Sequence, residues 1–289
     1  MISCSQFDYT GRRLAVISSD QSIRLYSYND NTLSEICTLE NHPGEVLCLS
    51  WSHPKYGSLL ASCGSDRKII IWREQSIRLW QTIYDYTDSV AVNCVSFAPW
   101  ELGLKLLAGL DDGNVMIISF KGEWVSRKFV GHSCSVKALA WGTAISLVSA
   151  CNSSVQKTLR FVTGDSDGKI KYWTQEDESY NSENLEKHAN CIRDISWNPI
   201  ISSNKELFAS CADRSVVIWY RSTEEQTWKA KDVITFSAPV WKVSWNALGN
   251  ALAVSSADNI TRILTENLEE SWRVTRQVLQ KGEISDIPS

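Results

Sequence analysis

The chain has 289 residues, 43% of them hydrophobic and 21% charged, with a formal net charge of −4. That balance is typical of a soluble globular protein. With no run of lysine or arginine longer than two (Arg12-Arg13 is one), it excludes a face built to grip a phosphate backbone. Nine cysteines, an odd number with no Cys-x-x-Cys pair, read as small apolar side chains in a reducing compartment, not as a disulfide framework. Cys48, Cys63, Cys94 and Cys211 all sit inside apolar runs. The first residues carry no basic-then-apolar leader pattern, and no stretch approaches the ~20 apolar residues that span a bilayer.

The first repeat is expected to form strands at Ile2–Phe7, Arg13–Ser18, Ser22–Tyr28 and Thr32–Leu39, with Asp8-Tyr9-Thr10-Gly11 as its first turn. The second is the clearest. Val46–Trp51 is followed by the turn His53-Pro54-Lys55-Tyr56-Gly57, then Leu59–Cys63, Lys68–Trp72 and a fourth strand near Ile77–Ile83. The third runs from Val92 to about Phe129. It lacks a His, and it has Phe97 and Ile118 where the second has Trp51 and Trp72. The fourth holds His132 and Trp141, an insert at Ala144–Gln156 expected to loop outward, and strands Arg160–Gly164 and Lys169–Trp173. Its acidic end, Gln175–Glu186, reads as a solvated loop. The fifth has His188, Trp197 and Trp219. The sixth has Val240–Trp245, Ala251–Ser255, Ile260–Leu264 and Trp272–Leu279, and the polar tail Lys281–Ser289 is expected to fray.

One aspartate marks each repeat: Asp20, Asp66, Asp112, Asp167, Asp213 and Asp258. Each lies six residues before the end of a strand, at Tyr26, Trp72, Ile118, Trp173, Trp219 and Leu264. The period is about 46 residues, stretched once by the insert, and a period of this size means stacked copies of one four-stranded unit. The expected fold is all-β, a six-bladed WD-repeat β-propeller forming a single domain over residues 1–289. Its blades fall at about 1–40, 41–87, 88–130, 131–186, 187–236 and 237–280, with 281–289 as tail. The inner strands are nearly continuous apolar runs, as in sheets covered on both faces.

His42, Ser62 and Asp66 superficially match a Ser-His-Asp set. The set recurs, however, as His132, Thr163 and Asp167 and as His188, Ser210 and Asp213, each His nine residues before the Trp of the first strand. A thrice-repeated set at a constant period is a structural tie, closed by Trp72, Trp173 and Trp219. Buried polar groups must be paired, and such a network pairs them while fastening loop to strand. The turn before Asp213 is one residue short, which shifts Ser210 within its tie. With His53 in a turn, no His remains for a metal site. No nucleophile elbow, phosphate loop or dinucleotide fingerprint appears, so no catalytic residue, metal or cofactor is expected. Most of the 13 tryptophans fall in register: Trp51, Trp141, Trp197 and Trp245 in the first strand, and Trp80, Trp124, Trp228 and Trp272 opening the fourth. They read as core between sheets.

The strand count leaves no terminal strand to seal the first repeat to the last. The ring is expected to be open, with apolar faces at Leu14, Val16, Ile23 and Leu25 on the first blade. On the sixth they are Val243, Trp245, Leu252, Val254 and Ile263. Naked faces of this size call for a partner.

Several stretches carry a resemblance: Ser18-Ser19-Asp20-Gln21-Ser22, His53-Pro54-Lys55-Tyr56-Gly57, Leu60-Ala61-Ser62-Cys63, Asp66-Arg67-Lys68-Ile69-Ile70-Ile71-Trp72-Arg73-Glu74, Val240-Trp241-Lys242-Val243-Ser244-Trp245 and Ala257-Asp258-Asn259. Over almost its whole length the chain resembles the family of small WD-repeat propeller subunits of the COPII outer coat, shared with the nuclear-pore Y-complex. The resemblance implies an open propeller whose seventh blade is donated in trans by a helical-solenoid scaffold protein. It also implies a role in ER-to-Golgi vesicle transport and at the nuclear pore. The expected places are the cytoplasm, the cytoplasmic face of the endoplasmic reticulum and coated vesicles, and the pore. Membrane association would be peripheral, with no direct nucleic-acid contact. Two other readings are the sister WD-repeat subunit of the Y-complex and a nutrient-sensing coat-like complex, and a closed propeller that reads peptides. The latter usually needs periodic arginines on one ring face, and the loops show none. A hydrolase rests only on the His-Ser-Asp sets.

Overall fold

The computed structural model describes residues 2–76, 78–144, 158–176, 179–186, 188–200, 205–222, 227–279 and 284–286. The chain divides into two compact units, Met1–Val136 and Lys137–Ser289, each made of three consecutive propeller blades.

In the first unit, β1 (Ile2–Phe7), β2 (Arg13–Ser18), β3 (Ile23–Asn29) and β4 (Thr32–Leu39) form one antiparallel sheet in that order. The second blade is β5 (Val46–Trp51), β6 (Leu59–Gly64), β7 (Lys68–Ser76) and β8 (Leu79–Thr87). The third is β9 (Val92–Phe97), β10 (Lys105–Leu110), β11 (Asn114–Phe120) and β12 (Trp124–Val130). Successive side chains of a strand point to opposite faces, and the second blade uses both. Leu60, Ile70 and Trp72 pack with Ala15, Ile17, Ile23 and Leu25 of the first blade. Leu59, Ala61, Cys63, Ile69 and Ile71 pack with Val95, Leu106, Ala108, Met116 and Ile118 of the third. Two buried faces explain why Leu59–Gly64 is buried at every residue and reads as an unbroken apolar run.

The second unit repeats the plan. Its fourth blade is β13 (Val136–Trp141), whose first residue belongs to the first unit, with β14 (Arg160–Asp165), β15 (Lys169–Glu176) and β16 (Ser179–Glu186). The fifth is β17 (Ile192–Trp197), β18 (Lys205–Ala212), β19 (Ser215–Ser222) and β20 (Lys229–Thr235). The sixth is β21 (Val240–Trp245), β22 (Ala251–Ser256), β23 (Thr261–Glu266), β24 (Trp272–Val278) and β25 (Ile284–Asp286). Val162, Ile170 and Tyr172 meet Ile195, Phe208, Val217 and Trp219. Leu207, Ala209, Cys211, Val216 and Ile218 meet Val243, Leu252, Val254 and Leu264. First-strand tryptophans also tie blade to blade within each unit. The Trp51 indole donates to the Gln6 carbonyl, and the Trp245 indole to the Ser196 carbonyl, each at 3.0 Å.

Three expectations need correction. The acidic stretch Gln175–Glu186 is not a loop, since Ser179–Glu186 is the fourth strand of its blade and pairs with β15 along its length. The tail is not wholly frayed, because Ile284–Asp286 adds a fifth strand to the sixth sheet. In the second blade the fourth strand begins at Leu79, later than the expected Ile77–Ile83, and Ile77 lies outside the described residues. Most of the insert at Ala144–Gln156 lies outside them too. Trp80 is the second residue of β8 and Trp228 directly precedes β20, whereas Trp124 and Trp272 open their strands. Among the described residues no cysteine forms a disulfide, and Cys63, Cys94 and Cys211 are buried and Cys48 half-buried.

Candidate functional site

The tie of the second blade is complete. His42 stands in the connection before β5, Ser62 in β6, Asp66 in the β6–β7 turn and Trp72 in β7. His42 Nδ1 lies 2.7 Å from Asp66 Oδ2 and its Nε2 2.7 Å from Ser62 Oγ, while the Trp72 indole donates to Ser62 Oγ at 2.9 Å. One proton arrangement satisfies all of them. Nδ1–H donates to the carboxylate, the Ser62 hydroxyl donates to Nε2, and the indole N–H meets the remaining Ser62 lone pair. Asp66 also accepts the Lys68 amide at 3.1 Å, which fixes the turn. Ser62 is 0% exposed and His42 7%. A hydroxyl sealed under an indole cannot reach a substrate carbonyl, so the arrangement cannot act as a nucleophile. Burial lowers the His42 pKa below 6.5, with the Asp66 hydrogen bond opposing part of that shift.

The fifth blade departs from this pattern. His188 Nε2 lies 2.7 Å from Ser210 Oγ, and the Trp219 indole donates to Ser210 at 2.9 Å. Asp213 does not face the imidazole: Ser215 Oγ lies 3.3 Å from Nδ1 and donates onward to the Ala212 carbonyl at 3.1 Å. The cause is the shorter turn. Ala212 pairs directly with Ser215, and Asp213 sits within the turn at φ 45°. With no carboxylate facing it, His188 is held down to about 4 by burial alone. In the fourth blade the Trp173 indole donates to Thr163 at 2.8 Å, and His132 is buried. There Asp165, fully buried, accepts the amides of Asp167 and Lys169 at 3.0 and 2.9 Å, and Asp167 is exposed.

The blades without His carry substitutes that the sequence reading missed. Nine residues before Phe97 stands Asp88, buried in the place of the His. Lys128 of β12 bridges it to the turn aspartate, 2.9 Å from Asp88 and 3.3 Å from Asp112. Burial pushes the Asp88 carboxyl up, but Lys128 and Ser89 outweigh it and hold it low. Nine residues before Trp245 stands Phe236, with the Arg262 guanidinium 5.7 Å from its ring centroid. Arg262 donates to Asp258 and to Ser256, each at 2.7 Å, and Ser256 donates to Asp258 at 2.6 Å. The Arg262 hydrogen bond leads the effects that draw Asp258 down to about 2. The first blade repeats the Asp-to-Arg spacing of four, with Arg24 donating to Asp20 at 2.7 Å. The legible signal was a constant offset from the first-strand aromatic together with an Asp-x-x-x-Arg spacing.

The faces expected to lie open are mostly filled from within. Ile23 and Leu25 are core between the first two blades. Val243, Leu252 and Val254 are core between the last two, with Trp245 packed against them. Strand alternation puts Leu14 and Val16 on the opposite face of the first blade, and Ile263 on the opposite face of the sixth. The expectation failed for six of its nine residues because it took whole strands as faces, although each strand serves two.

Between the fourth and fifth blades lies a buried ionic cluster that the sequence did not reveal. Arg160 Nη1 lies 2.8 Å from both Glu206 carboxylate oxygens, and Arg221 Nη2 2.8 Å from one of them. Arg160 also donates to the Thr143 carbonyl at 2.7 Å, and Arg221 to the Tyr172 hydroxyl at 3.1 Å. Arg160 and Glu206 are each 1% exposed. One nitrogen from each of the two guanidiniums meets the same carboxylate, so the buried negative charge is paired from two sides.

Repeated four-stranded sheets, a His–Ser/Thr–Trp tie and first-strand tryptophans define a WD-repeat β-propeller of six blades. The WD domain, G-beta repeat family model matches residues 33–73 and 180–220. The chain is 35% identical over 294 residues to the "Protein transport protein sec13" of Emericella nidulans, covering 96% of this chain and 95% of that one. It is 37% identical over 291 residues to the "Protein transport protein SEC13" of Coccidioides immitis, covering 96% and 95%. It is 33% identical over 283 residues to the "Protein SEC13 homolog" of Drosophila melanogaster, covering 94% and 79%. The chain belongs to the Sec13 family of WD-repeat proteins, and it is a structural protein, not an enzyme.

Proposed function

We propose that this chain is a scaffold subunit of a protein-transport coat, the COPII outer cage of ER-to-Golgi vesicles, and a shared component of the nuclear-pore Y-complex. In this reading a helical-solenoid protein donates a β-blade that seats beside the first and last sheets, an assembly-scale case of strand and sheet augmentation. One observation carries the reading: β1 pairs only into the sheet β1–β4, and the sixth sheet is built only from β21–β25. Propellers commonly seal by mixing strands from the two termini in one blade, and no described sheet does so here. The relatives' names, protein transport protein in both fungi, support the transport role. Such a protein would work in the cytoplasm, on the cytoplasmic face of the endoplasmic reticulum and its vesicles, and at the pore. Association with the membrane would run through the coat.

The test is co-expression with solenoid scaffold proteins of the coat and of the pore. A stoichiometric complex in gel filtration is expected, with a melting temperature several degrees above that of the chain alone, as for any ligand that binds only the native state. A chain that is stable and monomeric alone, and captures neither solenoid, would overturn the proposal.

A further inference from the structure

Three connections of the first unit bring aromatic rings into a row: the β1–β2 turn with Tyr9, the β5–β6 connection with His53 and the β9–β10 connection with Trp100. Tyr9 and the His53 imidazole meet edge to face with ring centroids 4.5 Å apart, and the Trp100 ring lies 5.8 Å from His53 on a tilt. The Lys55 ammonium stands 4.4 Å from the Trp100 ring centroid. Tyr9 is nonetheless 71% exposed and Trp100 39%, so the row is open to solvent. It is also rigid. Asp8 accepts the Arg12 and Arg13 amides at 2.9 and 3.1 Å, which closes the Tyr9 turn. His53 Nδ1 accepts the Lys55 amide at 3.1 Å, and the Tyr56 hydroxyl donates to the Trp100 carbonyl at 2.8 Å, joining the second blade to the third. Blade packing does not account for these rings, since none of the three belongs to a core cluster.

Two properties of the row select what it can hold. Its open polar groups are donors. With Nδ1 accepting an amide, the His53 ring proton sits on Nε2. That Nε2–H, the Trp100 indole N–H and the Tyr9 hydroxyl have no hydrogen-bond partner among the described residues. The two nitrogen donors accept nothing, so a ligand backbone rich in N–H groups finds little to bond. The second property is charge. Asp8 and Glu101 offset Arg12 and Lys55 in the same three connections, so a strongly acidic or basic ligand gains no net attraction. The complementary chain is neutral, apolar and rich in unpaired carbonyls.

We infer that Tyr9, His53 and Trp100 form a docking surface for a proline-rich segment of a partner protein, bound as a polyproline II helix. Proline carries no N–H, and the polyproline II backbone leaves its carbonyls without internal hydrogen bonds, so it presents acceptors alone to a row of donors. Its pyrrolidine rings pack on aromatic side chains. A stiff ligand meeting a rigid row loses little conformational freedom on binding. Exposed Tyr and Trp side chains fixed in advance are the residue types that carry most of the energy of such contacts. The surface lies on connections between strands, not on a blade face, so it does not rest on the donated blade.

The experiment is fluorescence anisotropy on the purified full chain. The probe is a fluorescein-labelled oligoproline, compared with labelled Gly-Ser, Glu-rich and Lys-rich peptides of the same length. Saturable binding of the oligoproline is expected, little changed by salt because no net charge is paired. Tyr9→Ala and Trp100→Ala should each weaken it by about tenfold, the loss of one aromatic anchor. Trp241→Ala, which removes an exposed indole of the second unit, should leave it unchanged and so separates this row from general stickiness. Thermal melts certify the fold of each variant, and Tyr9→Ala, at the more exposed position, decides the matter if Trp100→Ala melts early. The inference is overturned if the oligoproline does not saturate, if a Gly-Ser, Glu-rich or Lys-rich peptide binds as well, or if Tyr9→Ala binds like the parent.

Discussion

At the scale of single residues, the repeat is maintained by function rather than identity. A buried hydroxyl under an indole needs a partner on its other side, and His42 and His188 supply it with one ring nitrogen each. Where the His is absent, Asp88 with Lys128 or Phe236 with Arg262 takes the same place in the repeat. His42→Ala would leave Asp66 and Ser62 buried without their partner. It should cost about 2–4 kcal/mol in denaturant unfolding, from two orphaned groups. His188→Ala should cost less, because Ser215 and not a carboxylate faces Nδ1. The two histidines also set a pH dependence. Both hold pKa values below 6.5 in the native state, His188 at about 4. The unfolded chain therefore takes up protons first as pH falls. Their contribution to stability is whole above pH about 6.5 and is lost progressively toward pH about 4. Melting curves across that window should show a decline that His188→Gln makes shallower.

At the scale of strands and blades, two kinds of cohesion alternate. Inner strands hold by apolar burial on both faces, and outer strands by main-chain pairing to one neighbour. That is why β16, with the sequence Ser-Tyr-Asn-Ser-Glu-Asn-Leu-Glu, forms a strand despite its composition. Its register with β15 satisfies the backbone whatever the side chains. The fourth and fifth blades add a third kind, the Arg160–Glu206–Arg221 cluster. Glu206→Ala would leave two guanidiniums without their shared carboxylate, Arg160 fully buried among them. It should destabilise by about 3–5 kcal/mol, the cost of breaking a buried ion pair from one side. Replacing all three by apolar residues of similar volume should be far milder, and denaturant midpoints of the two variants would separate these outcomes.

For the whole molecule, the proposed scaffold role turns on the residues of the expected faces that packing within each unit leaves on the outer sides, Leu14, Val16 and Ile263, of which Leu14 and Ile263 are the more exposed. Leu14 and Ile263 are half-buried, and none of the three belongs to a core cluster. Leu14→Asp and Ile263→Asp should each reduce capture of the solenoid partner at least tenfold while changing the chain's own melting temperature little. The contrasting control is Leu25→Asp, inside the core of the first two blades, which should unfold the chain. Equal capture by all surface variants would remove the first and sixth sheets from the proposed interface.

The sequence by itself determined the repeat, the number of blades, the inner strands and the identity of the second-blade tie, because each is written in local spacing. A period of about 46 residues, apolar runs between turn residues and a His nine residues before an aromatic survive without knowledge of any neighbour. Only the tertiary structure decided which face of each strand its neighbour fills and what replaces a missing His. It also decided that Ser215 displaces Asp213 and that Glu206 gathers two arginines. The physical reason is common to all four. Each depends on groups brought together across blades or across a turn whose length shifts by one residue, and local composition carries no record of such distances.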